Sequence, residues 1–294
     1  MPRTPLPLVV FVHGTRTSSA IWASQVEHVS RLGYDTLAVD LPGHGVRRGE
    51  RLSLGGAFKV INQAITARLA TGSGGRSVVL VGLSLGGYIA LAYAATAHAR
   101  LTTQRTATQH AGTQYTSTQR ADPAPDQAGL LAPAFDIVGL IAAGCCTQIK
   151  GKPVGQYGFA VRQAYHLISL RDRVTASRRW SRASITIRGA LRLDPAHLDP
   201  HVASLQERLP LSVVADMLAA LAGRSTVADV RQVPCPIVFI NGVKDPLRLN
   251  EKRLLAAAHQ GTLIVIPHAG HDVNTEQPDA FNRVLSTVLG AWVR

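Results

Sequence analysis

The sequence is poor in residue types that define whole classes of protein. It has three cysteines in 294 residues, and two of them are adjacent at Cys145 and Cys146, which suits neither a disulfide framework nor a zinc site. We interpret them as reduced, buried small residues rather than as a catalytic thiol. No stretch approaches the roughly 18 apolar residues of a membrane span, and Pro2, Pro5 and Pro7 interrupt the position of a signal peptide. These absences predict a cytoplasmic protein with no membrane span.

Acidic residues are also scarce, with 18 Asp and Glu against 31 Lys and Arg, which gives a net charge of +13. Such a balance would suit a nucleic-acid-binding protein. However, aromatic residues make up only 5% of the chain, and the basic residues are dispersed among apolar ones without stacking aromatics or a helix-turn-helix pattern. We therefore expect no nucleic-acid partner, and we interpret the charge as a solvated basic face or a mild attraction for anionic substrates.

Hydrophobic residues make up 46% of the chain, enough for a substantial core. Short apolar runs predict strands at residues 6–12, 35–39, 77–81, 137–142, 236–240 and 262–266. Helical patterns fall between them at residues 19–32, 54–69, 85–98, 251–258 and 279–292. This alternation predicts an α/β fold with a doubly wound, mainly parallel sheet of about six strands.

The motif Gly82-Leu83-Ser84-Leu85-Gly86 lies between a predicted strand and a predicted helix. A G-x-S-x-G sequence is common by chance, but at such a junction its glycines suit a turn so sharp that a Cβ on either side would clash. The context predicts a nucleophile elbow that holds the Ser84 hydroxyl at the edge of the sheet.

Three further segments follow predicted strands and carry suitable chemistry. His13-Gly14-Thr15 follows the first strand, Asp245 follows the strand at 236–240, and His271 follows the strand at 262–266. The carboxyl ends of parallel strands meet at one edge of a sheet, so these groups can meet Ser84 there. The order Ser84, Asp245, His271 is that of one known arrangement of the Ser-His-Asp triad.

Two neighbouring residues are rivals for these roles. Asp272 could be the acid, but its adjacency to His271 is expected to point its carboxylate away from the ring. His268 could be the base, but it lies three residues earlier. We predict Asp245 and His271 for the triad, with the backbone N–H groups of Thr15 and Leu85 as the oxyanion hole.

The segment Asp40-Leu41-Pro42-Gly43-His44-Gly45 strengthens this pattern. With the elbow and the chain order, it resembles the α/β-hydrolase superfamily over nearly the whole chain except about 100–132 and the segment after Cys146. The resemblance is to its small cofactor-free esterases, lactonases and serine haloperoxidase-like enzymes. Dehalogenases and epoxide hydrolases of the family have aspartate at the elbow, where this chain has Ser84. The family usually begins with an antiparallel strand pair, which we expect to be absent here.

The resemblance also implies two domains. Residues 1–146 and 233–294 would form the hydrolase core, and residues 147–232 a helical cap over the elbow, where specificity is expected to lie. Candidate pocket residues are His13 in the core and Tyr157, Phe159, Tyr165, Leu167, Trp180 and Met217 in the cap. The alternative is that most of these cap residues hold the cap helices together.

A tandem repeat interrupts the predicted core. Residues 102–121 form four pentads with Thr-Gln at their second and third positions. Polar repeats without an apolar position in register cannot bury a face to offset the loss of backbone entropy. We predict a disordered insertion over about 100–132.

Together, the motifs and the resemblance imply a serine hydrolase that cleaves a small carboxylic ester, thioester or lactone through an acyl-enzyme. Neither a metal nor an organic cofactor is implied, and the expected partner is a small ester-like substrate. A lyase or a cofactor-free perhydrolase or haloperoxidase with the same triad is an alternative. So is a catalytically silent ligand binder of the same fold. The oligomeric state stays open.

Overall fold

The short apolar runs of the sequence form one parallel sheet. The structure, a computed structural model, describes residues 5–71, 75–110, 135–150 and 212–293. Its strands are β1 Leu8–Val12, β2 Thr36–Val39, β3 Ser77–Leu83, β4 Asp136–Ala143, β5 Ile237–Gly242 and β6 Gly261–Ile266. They lie in the order β2-β1-β3-β4-β5-β6 and all pairings are parallel. The predicted six-stranded parallel α/β sheet is confirmed, and no strand precedes β1 in the described part of the chain.

Helices follow most strands. They are α1 Ala23–Arg31, α2 Leu54–Thr71, α3 Leu85–His110, α4 Ser212–Leu221, α5 Thr226–Gln232, α6 Glu251–Ala257, α7 Val273–Glu276 and α8 Pro278–Trp292. The helix predicted over 19–32 is divided into a 3₁₀ turn, Ser19–Trp22, and α1. No helix in the described ranges is both long enough and apolar enough to cross a membrane.

The central strands are buried on both faces because helices cover each side of the sheet. Successive side chains of a strand point to opposite faces. Accordingly, Val10 packs in a cluster with residues of α2, α3, α5 and α6, whereas Phe11 packs in a second cluster with residues of α1, α7 and α8. In the second cluster the Trp22 ring lies between Phe11 and Phe281, with ring centroids 5.2 and 5.9 Å away. This double burial explains why β1 and β3 read as continuous apolar runs.

Helix α3 is longer than predicted. It continues to His110 and so includes the beginning of the pentad repeat, where the sequence predicted disorder from about residue 100. Alanine, glutamine and arginine favour a helix, and the hydroxyls of Thr102 and Thr103 donate to the carbonyls of His98 and Ala99 one turn earlier. Residues 100–110 are therefore helical, and the rest of the predicted insertion lies outside the described residues.

The end of the predicted cap packs against the core. Helix α5 lies within the segment 147–232 but packs on α3 and α6. Its start is fixed by Ser225, whose hydroxyl accepts a hydrogen bond from the Ala228 N–H, and by Thr226, whose hydroxyl donates to the Thr147 carbonyl. This helix therefore belongs to the layer over the sheet. Residues 151–211 of the predicted cap lie outside the described residues.

We expect Phe281→Ala to destabilise the protein by about 3–5 kcal/mol, because Phe281 is fully buried against Trp22 and its removal leaves a cavity. The measurement is the free energy of unfolding from urea titrations. Leu249→Ala is the control, since Leu249 is 65% exposed and a surface truncation changes stability by about 0.5 kcal/mol or less. Equal effects of the two substitutions would contradict the assigned packing.

Candidate active site

Ser84 lies on a strained turn between β3 and α3. Its φ of +53° is in the left-handed region, which costs a non-glycine residue about 1–3 kcal/mol. A Cβ at Gly82 would overlap the backbone of Gly86, and one at Gly86 would overlap the carbonyls of Val12 and His13. The Ser84 N–H donates to the carbonyl at the end of β4, with a distance of 2.7 Å. Close backbone contacts on both sides thus hold the turn.

The three residues predicted for the triad lie in hydrogen-bond contact. The Ser84 Oγ is 2.9 Å from the His271 Nε2, and the His271 Nδ1 is 3.1 Å from the Asp245 Oδ1. The Asp245 side chain is fully buried, whereas the His271 side chain is 29% exposed. The Leu247 N–H also donates to the Asp245 Oδ1, over 2.8 Å. The carboxylate is therefore fixed while the ring stays accessible beside the serine.

The rival residues occupy other positions. Asp245 is the carboxylate that contacts the His271 ring, while the Asp272 carbonyl accepts hydrogen bonds from Thr275 and Glu276 at the start of α7. His268 is exposed on a left-handed turn, with a φ of +63°. Neither rival hydrogen-bonds to the ring of His271 or the hydroxyl of Ser84 in the described structure.

The charges around His271 favour its protonated form. Burial alone would lower the pKa of this imidazole. The hydrogen bond that His271 donates to Asp245, together with the negative charges of Asp272, Asp245 and Glu276, raises the pKa above its ordinary value. For Asp272, burial raises the pKa of the carboxyl, and the nearby Glu276 and Asp245 act in the same direction against His271. A positive charge formed on His271 would therefore be stabilised.

Two backbone N–H groups are available next to the serine. Leu85 is the first residue of α3, so its N–H has no carbonyl one turn earlier to bind. Gly14 lies beside the serine, since a Cβ placed on it would be 3.5 Å from the Ser84 Cβ. Among the described residues, no hydrogen bond uses the N–H of Thr15. In the described part of the chain, neither of the two N–H groups predicted for the oxyanion hole has a hydrogen-bond acceptor.

His13, a pocket candidate from the sequence, has no solvent-exposed surface. It is fully buried; its Nε2 accepts from the Leu41 N–H over 3.1 Å, and its Nδ1 donates to the Gly14 carbonyl over 2.7 Å. Burial, with the neighbouring His44, lowers the pKa of His13 to about 4. Because the ring is neutral and uses both nitrogens, it fixes the loop that carries Thr15.

One of the predicted cap residues contacts this loop. Met217 on α4 lies with its Sδ 2.6 Å from the Thr15 Oγ1. Met217 was a pocket candidate from the sequence, and this contact puts it beside the predicted oxyanion loop. The other cap candidates, Tyr157, Phe159, Tyr165, Leu167 and Trp180, lie outside the described residues.

The cysteines offer no reactive thiolate. All three are free and buried. Burial raises the pKa of Cys146 and of Cys235 to about 12, and raises the pKa of Cys145 well above its ordinary value. A nucleophilic cysteine needs the opposite shift. Within the described ranges, no group of three or more His, Cys, Asp or Glu side chains could hold a metal ion.

Two residues that contact the His271 segment were not predicted from the sequence. Gly144, directly after β4, has a φ of +60°, and a Cβ there would lie 3.2 Å from the Cε1 and 3.3 Å from the Nδ1 of His271. Glu276 accepts hydrogen bonds from the N–H groups of Gly270 and Asp272. A glycine after a buried strand was a visible signal for the first, whereas nothing local marked the second.

Comparisons with known proteins agree with this architecture. The sequence profile of the "Alpha/beta hydrolase family" matches residues 9–284. A thermophilic esterase from Thermogutta terrifontis is similar in structure, with a TM-score of 0.67, 18% identity, and coverage of 99% of this chain and 92% of that one. The enol-lactonase from Burkholderia xenovorans LB400 has a TM-score of 0.61 and 16% identity, with coverage of 97% and 92%. At these identities, the two structures show a shared fold.

Among curated proteins, a short segment resembles Protein ABHD8 of Mus musculus. The two are 33% identical over 79 residues, which is 27% of this chain and 18% of the mouse protein. The matched region thus spans less than a fifth of that relative. This similarity is too short to carry a function from one protein to the other.

We expect Gly144→Ala to slow the modification of Ser84 by a fluorophosphonate about 100-fold, because the added methyl displaces the His271 ring and small displacements of catalytic groups have effects of this size. The measurement is the labelling rate followed by mass spectrometry. Gly223→Ala is the matched control, since Gly223 also has a positive φ, of +78°, but no atom within 4 Å of an added Cβ. Both variants should lose similar stability. Equal labelling rates in the two would show that Gly144 does not support His271.

Proposed function

The chain belongs to the alpha/beta hydrolase family, and from that premise we propose that it is a serine hydrolase acting on a small carboxylic ester, thioester or lactone. The observation that supports this most strongly is the continuous contact from the Ser84 hydroxyl through His271 to the buried Asp245. Nucleophile, base and orienting acid are the parts that acyl transfer requires.

In the proposed first step, the neutral His271 Nε2 accepts the proton of the Ser84 hydroxyl as the Ser84 Oγ attacks the acyl carbonyl. The Nδ1–H of His271 donates to Asp245 throughout, which selects the tautomer and stabilises the imidazolium that forms. The imidazolium then protonates the leaving alcohol, thiol or ring oxygen as the tetrahedral intermediate collapses to an acyl-enzyme. Water, deprotonated by His271, releases the acid and restores the serine.

The developing oxyanion would be bound by the N–H groups of Thr15 and Leu85. Each such donor contributes about 3 kcal/mol to stabilisation of the transition state, because it is fixed before the reaction begins. Two contacts support this assignment: Gly14 lies against Ser84, and the neutral His13 holds the loop in place. Apart from the water that hydrolyses the acyl-enzyme, each step of the proposed mechanism uses residues of this chain.

An ester-hydrolysis assay tests the acyl chemistry and defines the preferred acyl chain. Purified protein should hydrolyse p-nitrophenyl esters with a burst of nitrophenol, and a series from acetyl to longer acyl chains, together with simple lactones and thioesters, should define the substrate. Peroxide-dependent halogenation or an elimination without ester hydrolysis would favour the alternative activities of this fold. Failure of a fluorophosphonate to label Ser84 in folded protein would indicate a silent ligand binder instead.

We expect Ser84→Ala and His271→Ala each to lower kcat for an activated ester by about 10⁴-fold or more, with a somewhat smaller loss for Asp245→Asn. Asp272→Asn is the matched control, since it removes the neighbouring carboxylate that does not contact the His271 ring, and its kcat at alkaline pH should stay near that of the unmodified protein. Steady-state kinetics on the four variants test this. A collapse of activity in Asp272→Asn with Asp245→Asn unaffected would exchange the roles of the two acids.

The pH dependence should follow the ionisation of His271. Only the neutral ring can accept the serine proton, and its pKa is raised above the ordinary histidine value of about 6.5. Activity should therefore be lost as the pH falls through this raised pKa, with half-maximal kcat/KM above pH ~6.5. Asp272→Asn should move the midpoint to lower pH, because it removes one charge that raises the pKa. A profile that is flat from pH 5 to 8 would exclude a histidine base.

A further inference from the structure

The Glu276 carboxylate bridges the backbone on both sides of His271. Its Oε2 accepts from the Gly270 N–H over 2.7 Å, and its Oε1 accepts from the Asp272 N–H over 3.1 Å. The residue between these two donors is His271 itself. One side chain therefore joins the two ends of the short segment that carries the proposed base. Among the described residues, its two oxygens make no other hydrogen bonds.

The backbone that carries Glu276 is fixed in turn. Val273 and Asn274, on the same short helix α7, are fully buried. The Asn274 side-chain amide donates to the Ile21 carbonyl over 3.1 Å, and the Gln25 amide donates to the Asn274 carbonyl over 3.1 Å. Since α7 is thus tied to α1 and the turn before it, the carboxylate is held by an anchored helix rather than by a free loop.

The opposite end of the loop is held by different contacts. The Val243 N–H donates to the Ile266 carbonyl over 3.0 Å, and the Lys244 N–H donates to the Ala269 carbonyl over 2.9 Å. These bonds join the segment before Asp245 to the chain leading to His271, but they stop at Ala269. In the described structure, the backbone N–H bonds of the next residues, 270 and 272, go to Glu276.

We propose that Glu276 is a positioning residue that fixes the backbone of His271, so that its ring lies between Ser84 and Asp245. This inference rests on the proposed role of His271 as the base. Glu276 is exposed, so its substitution leaves the core intact. Both of its hydrogen bonds are charge-assisted, and such bonds are about twice as strong as neutral ones.

The chemistry of the side chain makes the proposal specific. A carboxylate accepts at both oxygens, whereas the amide of a glutamine has one acceptor and would direct an N–H₂ donor at one of the two backbone N–H groups. Glu276→Gln therefore keeps the size of the side chain and loses one of its two hydrogen bonds, and Glu276→Ala loses both.

Three titratable groups act on the pKa of His271. Asp245 comes from the loop after β5, Asp272 from the loop of His271 itself, and Glu276 from α7.

The kinetic test compares Glu276→Gln and Glu276→Ala with Asp279→Asn, which removes an exposed carboxylate in the first turn of α8. With an activated ester, we expect kcat to fall about tenfold in Glu276→Gln and further in Glu276→Ala, with KM changed less than about twofold. The midpoint of the pH profile should move to lower pH in both, because a charge that raises the pKa of His271 is gone. Asp279→Asn should change neither. An unchanged kcat and midpoint in Glu276→Ala would overturn the proposal.

A second measurement does not depend on turnover. In isotope-labelled protein, the amide protons of Gly270 and Asp272 should show downfield shifts and slow exchange with solvent, and both features should be lost in Glu276→Ala but kept in Asp279→Asn. If Glu276→Ala retained the chemical shifts and the exchange rates of both amides, the proposed positioning role of Glu276 would be overturned. If the unmodified protein fails to hydrolyse esters while these amides respond as expected, the proposed function fails and the positioning of His271 by Glu276 stands.

Discussion

The site depends on the close approach of backbones around Ser84. Its left-handed conformation is held because α3 begins directly against the end of β1, which is possible only where Gly86 has no side chain. The N–H of Ser84 is bound to the end of β4, and its carbonyl accepts from Tyr88 in the first turn of α3. A turn with these constraints has one orientation, and in it the hydroxyl lies 2.9 Å from the His271 Nε2.

The parallel sheet then decides what the hydroxyl meets. β5 and β6 pair in register, with Gly242 opposite Ile266, so the loops that follow them leave the sheet side by side. Hydrogen bonds between the two loops continue the pairing beyond the strands, from Val243 and Lys244 to the chain before His271. The separation of Asp245 and His271 is thus set by strand register, which is a property of the whole sheet rather than of either loop.

Acidic side chains surround His271, although the chain as a whole is basic. The protein carries 31 basic and only 18 acidic residues, yet Asp245, Asp272 and Glu276 all act on one histidine. Their combined effect exceeds the cost of burying the ring, so its pKa rises rather than falls. His13, which is buried without a carboxylate at hydrogen-bond distance, shows the opposite shift. The surroundings of His271 thus favour its protonated form, whereas those of His13 favour the neutral ring that hydrogen-bonds to its loop.

The sequence by itself determined the strands, the elbow and the chain order of Ser84, Asp245 and His271. These features have local signals. The bounds of the apolar runs lie within two residues of the bounds of the observed strands, and the tight turn at Ser84 requires the nearby glycines because a Cβ would clash there. The end of α3 was predicted wrongly, because polar pentads that bury no face can still be helical when they extend an existing helix. The sequence made His13 a candidate pocket residue, and it could not show that His13 is fully buried because a short motif does not determine which elements cover it.

Only the tertiary structure decided which groups surround His271. Gly144, directly after β4, lies beside the ring with little room for a side chain, and the Glu276 carboxylate on α7 hydrogen-bonds to the backbone on both sides of His271. Asp272 follows His271 directly in sequence, yet the ring contacts Asp245 from another strand. Neighbours along the chain point where the local backbone sends them, whereas groups that meet across the sheet are brought together by strand register and helix packing. The residues near His271 in a single sequence therefore do not show which distant groups lie close to it.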